Sequence, residues 1–151
     1  METIGFLELN SIAKGIETAD IVLKTAAVDL FFSKTGCSGK YYLMFTGEVA
    51  AVQASIDAGR ARGEGHVVDW CVIPHVHPQV VKAINMTAMP ETLQAIGVME
   101  FYSVTASVYG ADAAVKAADV DLLDIRLGTG IGGKSFVILT GEVAAVRESM
   151  E

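Results

Sequence analysis

The chain has 151 residues, 52% of them hydrophobic, and a formal net charge of -7 at pH 7. This length allows one ordinary domain or two small ones. The acidity argues against nucleic acid and anionic membrane surfaces as partners, and no run of about eighteen apolar residues predicts a transmembrane helix. So apolar a chain is expected to bury surface against other chains. With no signal peptide at the start, both cysteines are expected as reduced thiols.

The first elements alternate between strand and helix patterns. The segment "IGFLEL" from Ile4 is short and apolar, which predicts a buried strand. Apolar residues then recur at helical spacing and predict an amphipathic helix. Its expected buried stripe is Ile16, Ala19, Leu23 and Ala26.

The next segments complete one domain. "VDLFFSK" predicts a strand, "TGCSG" a turn, "KYYLMFTG" a strand, "EVAAVQASIDAGRA" a helix and "HVVDWCVI" a last strand. The order β-α-β-β-α-β is that of the ferredoxin-like fold, with helices on one face of an antiparallel sheet. The fold class is therefore α+β.

The chain contains an internal repeat. "TGEVAAV" starts at Thr46 and again at Thr140, 94 positions later, while "IGFLELNSI" and "IGVMEFYSV" lie 92 apart. This predicts two tandem domains, residues 1–84 and 95–151, joined by a linker over 85–94. The second domain lacks the equivalent of residues 58–84, so we expect residues to be missing there.

The first helix has a counterpart in the second domain. The stripe returns as Val108, Ala111, Val115 and Ala118. Asp20 precedes Lys24 by four positions, and the second copy repeats this spacing with Asp112 and Lys116. Such acid–base pairs support a helix.

A nucleotide-binding pattern occurs in the second domain. "GTGIGGKS", residues 128–135, satisfies the phosphate-binding loop pattern G-x-x-x-x-G-K-[ST]. That loop must open a helix, so that backbone N–H groups converge on the phosphates. Here "KSFVILTG" follows, which predicts a strand, and the first copy, "TGCSGKYY", lacks the pattern. The prediction is a hairpin tip whose glycines adopt positive φ.

Taken together, these motifs resemble the bacterial microcompartment shell domain. The resemblance rests on "IGFLEL", "ADIVLKTAAVDL", the Gly-rich tip ending in Gly-Lys and "TGEVAAV". Two copies resemble the tandem-domain, trimer-forming shell proteins, and "SKTGCSGKYYLM" and "GTGIGGKSF" resemble their PduT-like, propanediol-utilisation group. The resemblance covers nearly the whole chain, apart from the missing end of the second domain.

The resemblance implies a structural role in the bacterial cytoplasm. Three chains would form a pseudohexamer that tiles with other shell proteins into the wall of a metabolosome. The helix lysines Lys24 and Lys116 would contact the next tile. The two hairpin tips would line a central pore with Thr35, Gly36, Cys37, Ser38, Gly39, Gly128, Thr129, Gly130, Ile131, Gly132 and Gly133.

Cys37 is the candidate for metal chemistry. On a three-fold axis, one cysteine per chain would supply three soft thiolate ligands. The resemblance implies one iron–sulfur cluster per trimer, [4Fe-4S] in type, held through Cys37 for electron or cluster transfer across the shell. Redox enzymes of the compartment would then be partners. Thr129 replaces the cysteine in the second tip, and Cys71 lies in an apolar strand that predicts core packing.

The residues alone leave other interpretations of the function open. The chain could be a ferredoxin-like small-molecule-binding or signalling protein with the Gly-rich loops as its ligand site, or an electron carrier independent of any shell. Lys40 and Lys134 could be hydrated hairpin-base lysines or attract anions at a pore mouth. His75 and His77 are expected to flank a proline turn. No catalytic triad or paired-carboxylate pattern is present, so we expect no enzyme.

Overall fold

The computed structural model describes residues 2–151. They form two compact units, the first ending at Val76 and the second beginning at His77. Among these residues, no helix combines the length and apolar character needed to cross a membrane.

The first unit has the predicted β-α-β-β-α-β order. Its elements are β1 (Thr3–Leu9), α1 (Ile12–Thr25), β2 (Val28–Gly36), β3 (Lys40–Gly47), α2 (Val49–Gly63), a 3-10 turn (Glu64–His66) and β4 (Val67–Ile73). The strands are antiparallel neighbours in the order β2-β3-β1-β4. The ferredoxin-like prediction is confirmed for this unit.

The core of the first unit lies between the sheet and its two helices. The central strand β1 is buried along its whole length. One of its faces supplies Leu7 and Leu9, which join a buried cluster with Val22 of α1 and with Val52 and Ile56 of α2. Burying each such aliphatic side chain contributes roughly 1.5–3 kcal/mol.

The predicted stripe of α1 is wrong in detail. Of the four residues only Ala19 is buried, while Ile16 and Leu23 are exposed. The helix instead turns small residues toward the sheet, because the ring of Tyr41 fills the space over Gly15. The buried face is Gly15, Thr18, Ala19 and Val22.

The second unit is built from α3 (Pro78–Ile84), β5 (Ala95–Phe101), α4 (Val104–Ala117), β6 (Val120–Arg126), β7 (Ser135–Gly141) and α5 (Val143–Ser149). Its sheet has three antiparallel strands in the order β5-β7-β6. Within the described residues, β5 therefore lacks the outer neighbour that β4 provides to β1. On α4 the predicted stripe holds better, since Val108 and Ala111 are fully buried.

Helix α3 packs in the second unit, on the edge strand β6. The Gln79 side chain accepts a hydrogen bond from the Leu122 backbone N–H at 2.7 Å and donates one to Asp121 at 3.0 Å. The backbone N–H of His77 donates to Asp112 on α4 at 2.8 Å. The domain boundaries predicted from the repeat, at residues 84 and 95, remain a prediction.

We predict that Gly15→Ala destabilises the first unit by roughly 1–3 kcal/mol, as overpacking does. An added Cβ would lie 2.6 Å from Cβ of Tyr41, whose position is fixed by β3. Gly65→Ala is the control, because a Cβ there meets nothing within 4 Å. Urea unfolding followed by circular dichroism measures the difference, and equal stability of the two variants would contradict this packing.

Candidate functional site

The first hairpin tip is short. β2 ends at Gly36 and β3 begins at Lys40, so only residues 37–39 form the turn. Gly39 has φ 75°, a conformation that glycine adopts without steric cost. Cys37 is half-buried, whereas Thr35 and Ser38 are exposed. The thiol thus lies at the outer end of a rigid antiparallel ladder.

The second hairpin tip is longer and built on glycine. Residues 127–134 separate β6 from β7, and four of their glycines have positive φ, as predicted: Gly128, Gly130, Gly132 and Gly133. Thr129 and Ile131 are exposed at this tip. The strand β7 follows the GKS sequence where a phosphate-binding loop needs a helix. The strand–loop–strand prediction is confirmed.

Each tip is anchored at its base by a lysine–glutamate pair. Lys40 Nζ lies 2.6 Å from Glu8 Oε1, and the Glu8 side chain is fully buried. Lys134 Nζ lies 2.5 Å from Glu100 Oε1, but this pair is exposed, and the Glu100 hydrogen bond and charge raise the pKa of Lys134. Lys40 is therefore paired with a buried carboxylate and is not a hydrated surface lysine. These lysine–glutamate pairs were not predicted from the sequence. The repeat could have revealed them, since Glu8 and Glu100 occupy equivalent positions in the two copies.

Tyr42 fills the space beneath the first tip. A Cβ added at Gly36 would lie 2.5 Å from the Tyr42 hydroxyl, so only glycine leaves room for this ring. The tyrosine is fully buried, and within the described residues its hydroxyl oxygen has no hydrogen-bond partner. Leaving such a group unsatisfied costs about 1–3 kcal/mol. Burial, then the charges of Glu8 and Cys37, raise the pKa of Tyr42 to about 12.

The other candidates lie apart from the tips. The predicted i,i+4 pairs form on the helices, with Lys24 2.7 Å from Asp20 and Lys116 2.6 Å from Asp112. Cys71 is buried in β4, as predicted. His77 caps α3, its Nδ1 accepting a hydrogen bond from the backbone N–H of Gln79 at 3.3 Å.

Metal binding through Cys37 would need more than one chain. Across residues 2–151, no three His, Cys, Asp or Glu side chains come together as a metal-binding group. A cluster needs several thiolates, and the second tip offers Thr129 at the position equivalent to Cys37.

Comparison with known proteins agrees with this architecture. The model of the BMC domain family matches residues 3–76 and 95–151. The bacterial microcompartment shell protein PduT of Citrobacter freundii is 42% identical over 149 residues, which cover 99% of this chain and 81% of that protein.

Solved structures show the same similarity. The crystal structure of a microcompartment protein from Desulfitobacterium hafniense superposes with a TM-score of 0.86 at 49% identity, covering 99% of this chain and 83% of that one. The fused permuted hexameric shell protein of the RMM microcompartment gives a TM-score of 0.72 at 25% identity, with 99% and 77% covered.

We predict that the two anchoring lysines differ in their contribution to stability. Lys40→Met leaves the buried Glu8 carboxylate without its cation, which costs about 3 kcal/mol. Lys134→Met disturbs only an exposed pair that water screens, so its loss of stability is much smaller. Urea unfolding at neutral pH compares the variants, and an equal loss in both would refute the distinction.

Proposed function

Because the chain belongs to the BMC domain family, as a tandem-domain, PduT-like shell protein of a bacterial microcompartment, we propose that it acts as a structural, non-enzymatic tile. Three copies form a pseudohexamer around a pore lined by both tips. An iron–sulfur cluster is held there through Cys37, for electron or cluster transfer across the shell. The observation that carries this proposal is the placement of one thiol per chain on a rigid hairpin tip.

Exposed helix residues support a homotrimer. On α1, Ile12 and Ile16 are 42% and 56% exposed, whereas their repeat equivalents on α4, Val104 and Val108, are fully buried. The second repeat buries these positions, whereas the first exposes aliphatic side chains there. This indicates that a neighbouring copy of the chain covers them.

Exposed strand residues show the opposite relation. On β5, Ile96 and Val98 are 52% and 54% exposed, whereas their equivalents on β1, Ile4 and Phe6, are fully buried. β5 also has no outer strand beside it among the described residues, so its exposure is assigned to this open edge of the sheet. A head-to-tail contact that covers the exposed face of α1 closes into a ring when the rotation per copy allows. Because each chain has two domains, a ring of three copies contains six domains and has approximate six-fold symmetry.

The tips suit a pore. Gly-rich loops approach a symmetry axis closely because they lack side chains that clash, and their backbone N–H groups are available to polar or anionic metabolites. We assign the pore lining to both tips and the tile edge to Lys24 and Lys116. Lys24 is well exposed at the end of α1, which is compatible with contacting another shell protein.

Cys37 fits a cluster ligand in its chemistry and position. Thiolate is the usual ligand of iron–sulfur clusters, and a half-buried tip residue can meet its symmetry copies. The chain's own residues hold the sulfur in place through the hairpin and its Glu8–Lys40 anchor. When bound, the cluster supplies one-electron redox chemistry.

We predict that Cys37→Ser abolishes iron and acid-labile sulfide in anaerobically reconstituted protein. Cys71→Ser is the matched control and keeps both, since that thiol lies in the buried part of β4. Iron and sulfide assays with electron paramagnetic resonance measure the outcome. Unchanged iron content in the Cys37 variant would exclude this site, while leaving the shell role intact.

We predict that Ile16→Asp weakens trimer formation by tenfold or more, because about 1.4 kcal/mol suffices for that factor and a buried carboxylate costs more. Ala54→Asp, on an exposed position of α2, is the control for added charge. Sedimentation velocity over a concentration series reports the association. A trimer of wild-type strength in the Ile16 variant would place the interface elsewhere.

A further inference from the structure

The two repeats carry different polar groups at and beside the first tip. Where the first repeat has Cys37 and Tyr42, the second has Thr129 and Phe136 at the equivalent positions. The anchoring Glu–Lys pair is present in both repeats. The first repeat thus has both this thiol and this phenol hydroxyl, and the second repeat has neither, although it keeps the anchoring pair.

The Tyr42 hydroxyl lies under the residue that precedes Cys37. The ring packs against Gly36 so tightly that a Cβ there would be 2.5 Å from the hydroxyl oxygen. Across from it in the sheet lie Glu8 of β1 and Lys34 of β2. The oxygen is buried, and none of the described residues supplies it with a hydrogen bond.

Packing alone does not explain this hydroxyl. Phe136 fills the equivalent position across from Glu100 without an oxygen, so the fold accepts phenylalanine here. By contrast, the neighbouring Tyr41 is satisfied, since its hydroxyl lies 2.6 Å from the Ser33 hydroxyl. A buried donor without a partner that lies beside the cysteine calls for an explanation, and an acceptor that arrives with a ligand supplies one.

We propose that Tyr42 is a positioning residue whose hydroxyl donates a hydrogen bond to the Cys37 sulfur when that sulfur ligates an iron–sulfur cluster, and thereby raises the reduction potential of the cluster. This rests on the proposed function of Cys37. Hydrogen bonds to cluster sulfurs stabilise the more negative, reduced state, which is why they raise the potential. The phenol keeps its proton and is neither oxidised nor reduced.

Tyr42→Phe tests the proposal in the full-length protein reconstituted with iron and sulfide. The substitution installs the residue that the second repeat already uses. Tyr41→Phe is the matched control, because it removes a phenol hydroxyl from the adjacent residue that already has a partner. In a titration followed by electron paramagnetic resonance, dithionite supplies one electron per cluster and is oxidised to sulfite.

The expected result is unchanged iron content in both variants and a lower midpoint potential in Tyr42→Phe alone. A tenfold fall in the reduction equilibrium constant corresponds to about 59 mV for a one-electron couple. Equal potentials in wild type and both variants would overturn the role of Tyr42 and leave the cluster assignment standing. Absence of iron from the wild type would overturn both, and the iron assay separates these cases.

Discussion

The packing of Tyr42 against Gly36, beside the buried Glu8–Lys40 pair, is the constraint on which the first tip depends. It joins the end of β2, the start of β3 and the end of β1 into one fixed unit. A buried carboxylate is tolerable only with its cation in place, and the ring fits only because residue 36 is glycine. Cys37 is held at the end of this unit, so its position is determined by core packing.

The two repeats use the same framework for different purposes. Both place a glutamate–lysine pair at the base of a hairpin, but the first pair is buried under a short tip and the second is exposed under a long one. The first repeat thereby presents a thiol on a rigid turn. The second presents glycines at positive φ, which allow close approach to an axis while contributing no ligand. Under the proposed function, the duplication assigns the metal ligand to the first tip and a spacer role to the second.

Local patterns were sufficient to predict the β-α-β-β-α-β order of the first unit, the hairpins and the rejection of a nucleotide loop, because each depends on neighbouring residues, whereas the helix α3 was not predicted. The face that α1 buries was not predictable in this way. Ile16 and Leu23 fit an apolar stripe, yet the ring of Tyr41 selects the Gly15 face. The Lys40–Glu8 pair joins residues 32 positions apart, and a contact across strands requires the sheet register before it can be inferred.

The central claim is that three chains place three Cys37 thiols around one cluster. Native mass spectrometry of anaerobically reconstituted protein tests it most directly, because it reports chain number and bound mass together. The account predicts three chains carrying the mass of one [4Fe-4S] cluster, and three bare chains for Cys37→Ser. A monomer, or a trimer that carries one cluster per chain, would contradict it.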